Sequence, residues 1–121
     1  MTLQPWTGKR ALIVEDELLI VMMLEDLLEY LGCRVVMTAT QLDAAIVAAT
    51  TGEFDFAIVD LNLAGKSSSP VVEILRSRAM PFVIATGTGA IDLPPDLRET
   101  PLLSKPFTEN QLKTVLNILF R

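Results

Sequence analysis

At 121 residues the chain has the length of one domain with a proper core. Ten basic against fifteen acidic residues give a net charge of −5, which argues against nucleic acid as a direct partner. Histidine is absent and there is one cysteine, Cys33. This excludes a histidine triad, a histidine-ligated metal, a phosphohistidine on this chain and an internal disulfide.

Residues 1–9, within "MTLQPWTGKR", lack the apolar centre of a secretory signal and are read as a loose tail ahead of a domain over residues 10–121. The first strand is "ALIV" (11–14). A leucine-rich helix follows over 18–31, its polar side supplied by Glu25, Asp26 and Glu29. Those acids interrupt the longest apolar stretch well short of the roughly 18 residues a bilayer span requires, so a cytoplasmic protein with no membrane contact is expected. "RVVM" (34–37) is the second strand. From Gln41 the positions Leu42, Ala45, Ile46 and Ala49 share one helical stripe, with Thr40 as the cap. "FAIV" (56–59) is the third strand, and Ser69-Pro70 opens a helix with proline at its first position. "FVIA" (82–85) and "LL" (102–103) complete five strands, and "TENQ" (108–111) has the spacing of a capping box before a last helix. Between Thr86 and Pro101 the glycines and prolines of "TGTGAIDLPPDLRETP" predict a fourth helix that is short or irregular.

Continuous Val/Ile/Leu runs suggest strands buried on both faces, as in a parallel sheet. Strand and helix in alternation imply right-handed crossovers and a three-layer α/β sandwich. In an open parallel sheet, ligands bind beyond the carboxyl ends of the strands. At those ends stand Glu15 and Asp16, then Asp60, then Thr86, then Ser104 and Lys105. Each has a bland use: acids favour a following helix N-terminus, and Asp60 and Asn62 are turn formers. Their position at the same end of successive strands points to one site. Glu15, Asp16 and Asp60 brought together repel, and a hard divalent cation would relieve the repulsion; oxygen donors suit Mg²⁺, with Mn²⁺ as the alternative. Such a site neutralises a phosphoryl group from three sides. Asp60 is the candidate nucleophile forming an acyl phosphate, Lys105 offsets charge and the Thr86 hydroxyl donates to a transferring oxygen.

Taken together, "ALIVEDE", "AIVDLNL", "IATG" and "LLSKPF" resemble the CheY-like receiver domain of two-component response regulators over nearly the whole chain. The resemblance implies the flavodoxin-like (βα)5 fold with strand order 2-1-3-4-5. It implies Asp60 as phosphoacceptor, Asp16 as direct Mg²⁺ ligand beside Glu15, and the Asn62 backbone carbonyl completing the metal shell. Thr86 and Lys105 match the switch hydroxyl and the family's lysine, and the Lys105-Pro106 bond is expected to be cis. Leu102 stands where most receivers carry a switch aromatic. "PFVIATGTG" is similar in part to a Phe-Ala-Thr-Gly-hydrophobic-Tyr subgroup of stand-alone receivers in general stress response pathways. Ile84, Thr88 and Gly89 depart from that motif.

The function so implied is acceptance of a phosphoryl group onto Asp60 from a histidine kinase or histidine phosphotransfer protein, in a Mg²⁺-dependent phosphorelay. Output would be by protein contact, or the chain would act as a phosphate sink, without being an enzyme beyond catalysing its own phosphorylation. A monomer is expected, with phosphorylation-dependent association as the alternative. Residues 17–23 and Pro106-Phe107 are the expected partner contact, and segment 87–101 the expected site of conformational change. A stand-alone receiver is expected, against one excised from a hybrid kinase. Two rivals remain: a receiver-shaped binding module that takes no phosphate, and an aspartyl-phosphate phosphatase of the haloacid-dehalogenase type. The latter needs a general acid where Asn62 stands.

Overall fold

The computed structural model describes residues 3–87, 94–97 and 99–121. In chain order its elements are β1 (Arg10–Val14), α1 (Leu18–Tyr30), β2 (Arg34–Ala39), α2 (Leu42–Thr51), β3 (Phe56–Asp60), the short pair β4 (Asn62–Leu63) and β5 (Lys66–Ser67), and α3 (Ser69–Ser77). β6 (Phe82–Thr86), a 3-10 turn (Pro95–Leu97), β7 (Leu102–Ser104) and α4 (Glu109–Phe120) complete the chain. The five long strands are parallel in the order β2-β1-β3-β6-β7, which is the expected 2-1-3-4-5 once the small β4–β5 hairpin is set aside.

The apolar runs read as strands because the three central strands have helices on both faces. Every residue of β3 and β6 is buried, as are Ala11–Val14 of β1. Alternate side chains feed two cores. Leu12, Val14, Ala57, Val59 and Ile84 pack with α2 and α3 on one face. Ala11, Ile13, Phe56, Ile58 and Val83 pack with α1 and α4 on the other. β2 lies at the sheet edge and alternates between partly covered and exposed positions.

Local sequence sets the element ends. The capping box at Thr108 is present: Thr108 Oγ1 accepts from Gln111 N at 3.2 Å, and Gln111 Oε1 accepts from Thr108 N at 2.8 Å. Two starts differ from expectation by one residue. Gln41, not Thr40, occupies the cap of α2, and it makes no side-chain cap bond. The cap of α3 is Ser68, so Pro70 falls second in the helix, where its missing N–H still costs nothing.

Within residues 3–9, read as part of a loose tail, Trp6 is fastened to the body. Trp6 is 4% exposed. Its indole N–H donates to Leu31 O at 2.9 Å, and its carbonyl accepts from Cys33 Sγ at 3.5 Å. The indole thus closes the C-terminal end of α1, whose last carbonyls lack helical partners. Of the expected fourth helix, the described part is the 3-10 turn Pro95–Leu97, pinned when Leu97 enters the core beside α3. Residues 88–93 and 98, the rest of that expectation, lie outside the described residues. The Lys105–Pro106 peptide is cis. Among the described residues no helix is long and apolar enough to cross a membrane.

Candidate functional site

Asp60 ends the central strand. Because β1 and β6 flank β3, whatever follows them faces Asp60. β1 delivers Glu15 and Asp16, β6 ends on Thr86, and β7 runs into Lys105, tied back by its N–H to Thr86 O at 2.9 Å. Of the residues placed at this rim by strand counting, Glu15, Asp16, Asp60, Thr86 and Lys105 come together, while Ser104 is exposed and does not line the cleft. Asp16, Asp60, Asn62, Thr86 and Lys105 line one open cleft of about 430 Å³, and Glu15 is buried behind it.

Lys105 bridges two of the carboxylates, and backbone N–H groups hold all three. Lys105 Nζ donates to Asp60 Oδ2 at 2.9 Å, and the other oxygen, Oδ1, accepts from Asn62 N at 3.0 Å. Lys105 also forms an ion pair with Glu15 Oε1. Glu15 Oε2 accepts from the N–H groups of Asp16 at 3.0 Å and Glu17 at 3.3 Å. Asp16 Oδ2 accepts from Ala64 N at 3.2 Å, a donor supplied by the β4–β5 hairpin. That hairpin turns on Ala64 and Gly65, both at positive φ (52° and 86°), and Asn62 Oδ1 braces it by accepting from Gly65 N at 2.7 Å.

Among the described residues, one ammonium faces three carboxylates and does not balance them. One oxygen each of Glu15, Asp16 and Asp60 lie within 4.8 Å of one another. Burial pushes the Glu15 carboxyl up to about 7; Lys105 opposes that shift and Asp60 reinforces it. Burial also works against the charge on Lys105, but its bonds to Glu15 and Asp60 outweigh this and hold the ammonium above its usual range. A hard divalent cation fits such a donor set, which is all oxygen and short of positive charge.

Sequence reasoning missed three contributors. The Asn62 side chain supports the hairpin, besides any role for its carbonyl. Ala64 reaches Asp16 through a backbone N–H, which no side-chain pattern signals. Ser68, fully buried, donates its hydroxyl to Asp60 O at 2.6 Å; its "SSSP" context reads only as a helix start. Leu102, in the place of the expected aromatic, is partly buried in register with Ile84 and packs on the α2–α3 core. Phe107, an expected contact residue, is 6% exposed and belongs to the α1–α4 core, so Pro106 alone of that pair faces solvent.

A parallel sheet in this order, with acids after β1, an Asp ending β3 and a Lys after β7, defines a receiver. Residues 11–117 match the response regulator receiver domain family, and the chain belongs to it, among the proteins of two-component signalling. It is 41% identical to SdrG from Sphingomonas melonis, with a TM-score of 0.85 over 98% of this chain and 99% of that one. The receiver domain of PhyR from Erythrobacter litoralis is 33% identical, with a TM-score of 0.80 over 93% of this chain and 90% of that one. PhyR from Brucella abortus is 30% identical, with a TM-score of 0.79 over 95% of this chain; the chain spans about half of it (49%). No curated protein sequence matches.

Proposed function

We propose that Asp60 accepts a phosphoryl group from a phosphohistidine on a partner kinase or phosphotransfer protein. The observation that carries this is the setting of Asp60: a carboxylate ending the central strand, gripped by Lys105 on one oxygen and the Asn62 N–H on the other. The chain has no histidine, so the donor imidazole comes from outside. A carboxylate oxygen of Asp60 forms the new O–P bond while the P–N bond breaks. Its electron pair returns to the imidazole nitrogen, which takes a proton from solvent. Lys105 follows the charge from Asp60 onto the phosphoryl oxygens, and the Thr86 hydroxyl donates to one of them. Glu15, Asp16, Asp60 and the Asn62 carbonyl are the groups that would hold Mg²⁺. Bound there, the ion would offset the carboxylate charge and that of the incoming phosphoryl group.

The partner contact is placed on the first turns of α1 and on Pro106. Leu18, Leu19 and Met22 are 66%, 80% and 58% exposed beside the acidic rim, an apolar patch suited to a kinase helix pair. The structural likeness extends to SdrG in its BeF3-activated conformation, and PhyR from Bartonella quintana is described as an anti-anti-sigma factor. The likeness to PhyR supports a place in general stress signalling.

Incubation with acetyl phosphate and Mg²⁺ tests the reading. One phosphoryl group per chain is expected by intact mass, with none on Asp60→Asn. Release of many equivalents of phosphate would identify a phosphatase, and no uptake a binding module.

A further inference from the structure

Ser68 occupies the cap of α3, where a serine hydroxyl ordinarily accepts from the N–H of the second or third helical residue. It makes no such bond. The donors it would serve are otherwise accounted for. Pro70, second in the helix, has no N–H, and the third donor, Val71 N, donates to the Ser68 carbonyl at 2.9 Å; the first, Ser69 N, donates to Ser67 Oγ at 3.2 Å, which shares a hydrogen with Ser69 Oγ at 2.8 Å. The freed Ser68 hydroxyl, 0% exposed, donates to Asp60 O at 2.6 Å, and the Ser68 N–H donates to Leu61 O at 2.9 Å.

One buried residue thus grips two consecutive carbonyls at the base of the loop 61–68. The same loop delivers the Asn62 N–H to Asp60 Oδ1 and the Ala64 N–H to Asp16 Oδ2. We propose that Ser68 is a positioning residue for the phosphoacceptor. Its hydroxyl fixes the Asp60–Leu61 peptide plane and, through it, the donors that aim the Asp60 and Asp16 carboxylates. The inference rests on Asp60 as the acceptor. A cap serine whose hydroxyl is diverted from its helix is a local rule broken where function gains from it. Without the hydroxyl, the peptide rotates more freely and Asn62 N leaves Asp60 Oδ1 part of the time. Small misplacements of that kind lower rates without unfolding the chain.

The test compares Ser68→Ala, Ser68→Thr and a distant control, Val115→Ala in the α1–α4 core. Initial phosphorylation by acetyl phosphate is measured at saturating Mg²⁺, well below every melting temperature. Hydrogen exchange of the Asn62 amide is followed separately in metal-free protein. Ser68→Ala is expected to be phosphorylated about tenfold more slowly, with faster Asn62 exchange. Ser68→Thr, which keeps the donor, should recover rate and protection, and Val115→Ala should lose stability but not rate. A wild-type rate and unchanged Asn62 protection in Ser68→Ala would overturn the inference. So would equal slowing in Val115→Ala, which marks a role in stability alone. Should Ser68→Ala fail to fold, Ser68→Cys replaces it; its weak S–H donor should give intermediate slowing, and a wild-type rate would count against the proposal. If wild-type protein takes no phosphate, the acceptor reading fails, while the exchange measurement still decides whether Ser68 aims the loop.

Discussion

Removing the ammonium while keeping its aliphatic bulk, in Lys105→Met, isolates the electrostatics of the site. At an effective dielectric near 20, a unit pair at the 2.9 Å separation of Lys105 and Asp60 attracts by about 6 kcal/mol before desolvation. Breaking a buried pair costs about 3–5 kcal/mol. Two features lower that figure here. The cleft admits water to Asp60, and Glu15, already pushed up to about 7, can take a proton and shed its charge. A loss of about 2–3 kcal/mol in metal-free protein follows, or about 10 °C in melting temperature for a domain of this size. A divalent cation at the same carboxylates supplies part of the missing positive charge. Millimolar Mg²⁺ should therefore raise the melting temperature of Lys105→Met by more than that of wild type. Differential scanning fluorimetry in EDTA and in Mg²⁺ reads both quantities. A variant as stable as wild type in EDTA, or one gaining no more from Mg²⁺, would refute the charge-balance reasoning.

The raised Glu15 carboxyl has its own consequence. Its folded-state value lies above its ordinary one, so the protonated form contributes stability at low pH that is lost as pH rises through about 7. A metal ion competes with that proton, and calorimetric Mg²⁺ affinity should weaken between about pH 8 and about pH 6; a flat profile would contradict this. Trp6→Ala should cost about 3 kcal/mol in a urea titration, since it removes a buried indole and its bond to Leu31. Phosphorylation should be unaffected, and a loss under 1 kcal/mol (roughly a surface substitution) would show the segment is not fastened as described. Ala64→Gly relieves an exposed alanine held at φ 52° and should gain about 0.5–1 kcal/mol by the same titration; a loss would mean the methyl group is needed.

How far the sequence disclosed all this depends on what each feature rests upon. β1, β3 and β6 read plainly because burial on both faces leaves unbroken apolar runs. The meeting of Asp16, Asp60, Thr86 and Lys105 followed from the strand ends, since parallel topology sends all of those ends to one rim. Features made by tertiary pairing left no such trace. Trp6 meets Leu31 across 25 residues, and a tryptophan near a terminus carries no periodicity. The β4–β5 hairpin is two residues per strand and turns on Ala64-Gly65, with alanine at the first turn position where asparagine, aspartate or glycine would have signalled it. Ser68 went unremarked beside Ser69-Pro70 because the sequence does not say where a hydroxyl is spent. Phe107, next to an exposed proline, turns inward onto the α1–α4 core.

The proposed transfer puts the phosphoryl group on Asp60 and on no other carboxylate of the crowded rim. Borohydride reduces an aspartyl phosphate to homoserine, which peptide mass spectrometry can place. After acetyl phosphate and Mg²⁺, homoserine is expected at position 60, with no homoserine at Asp16 and no 2-amino-5-hydroxypentanoate at Glu15. Reduction product elsewhere, or none from protein that has taken up phosphate, would contradict it.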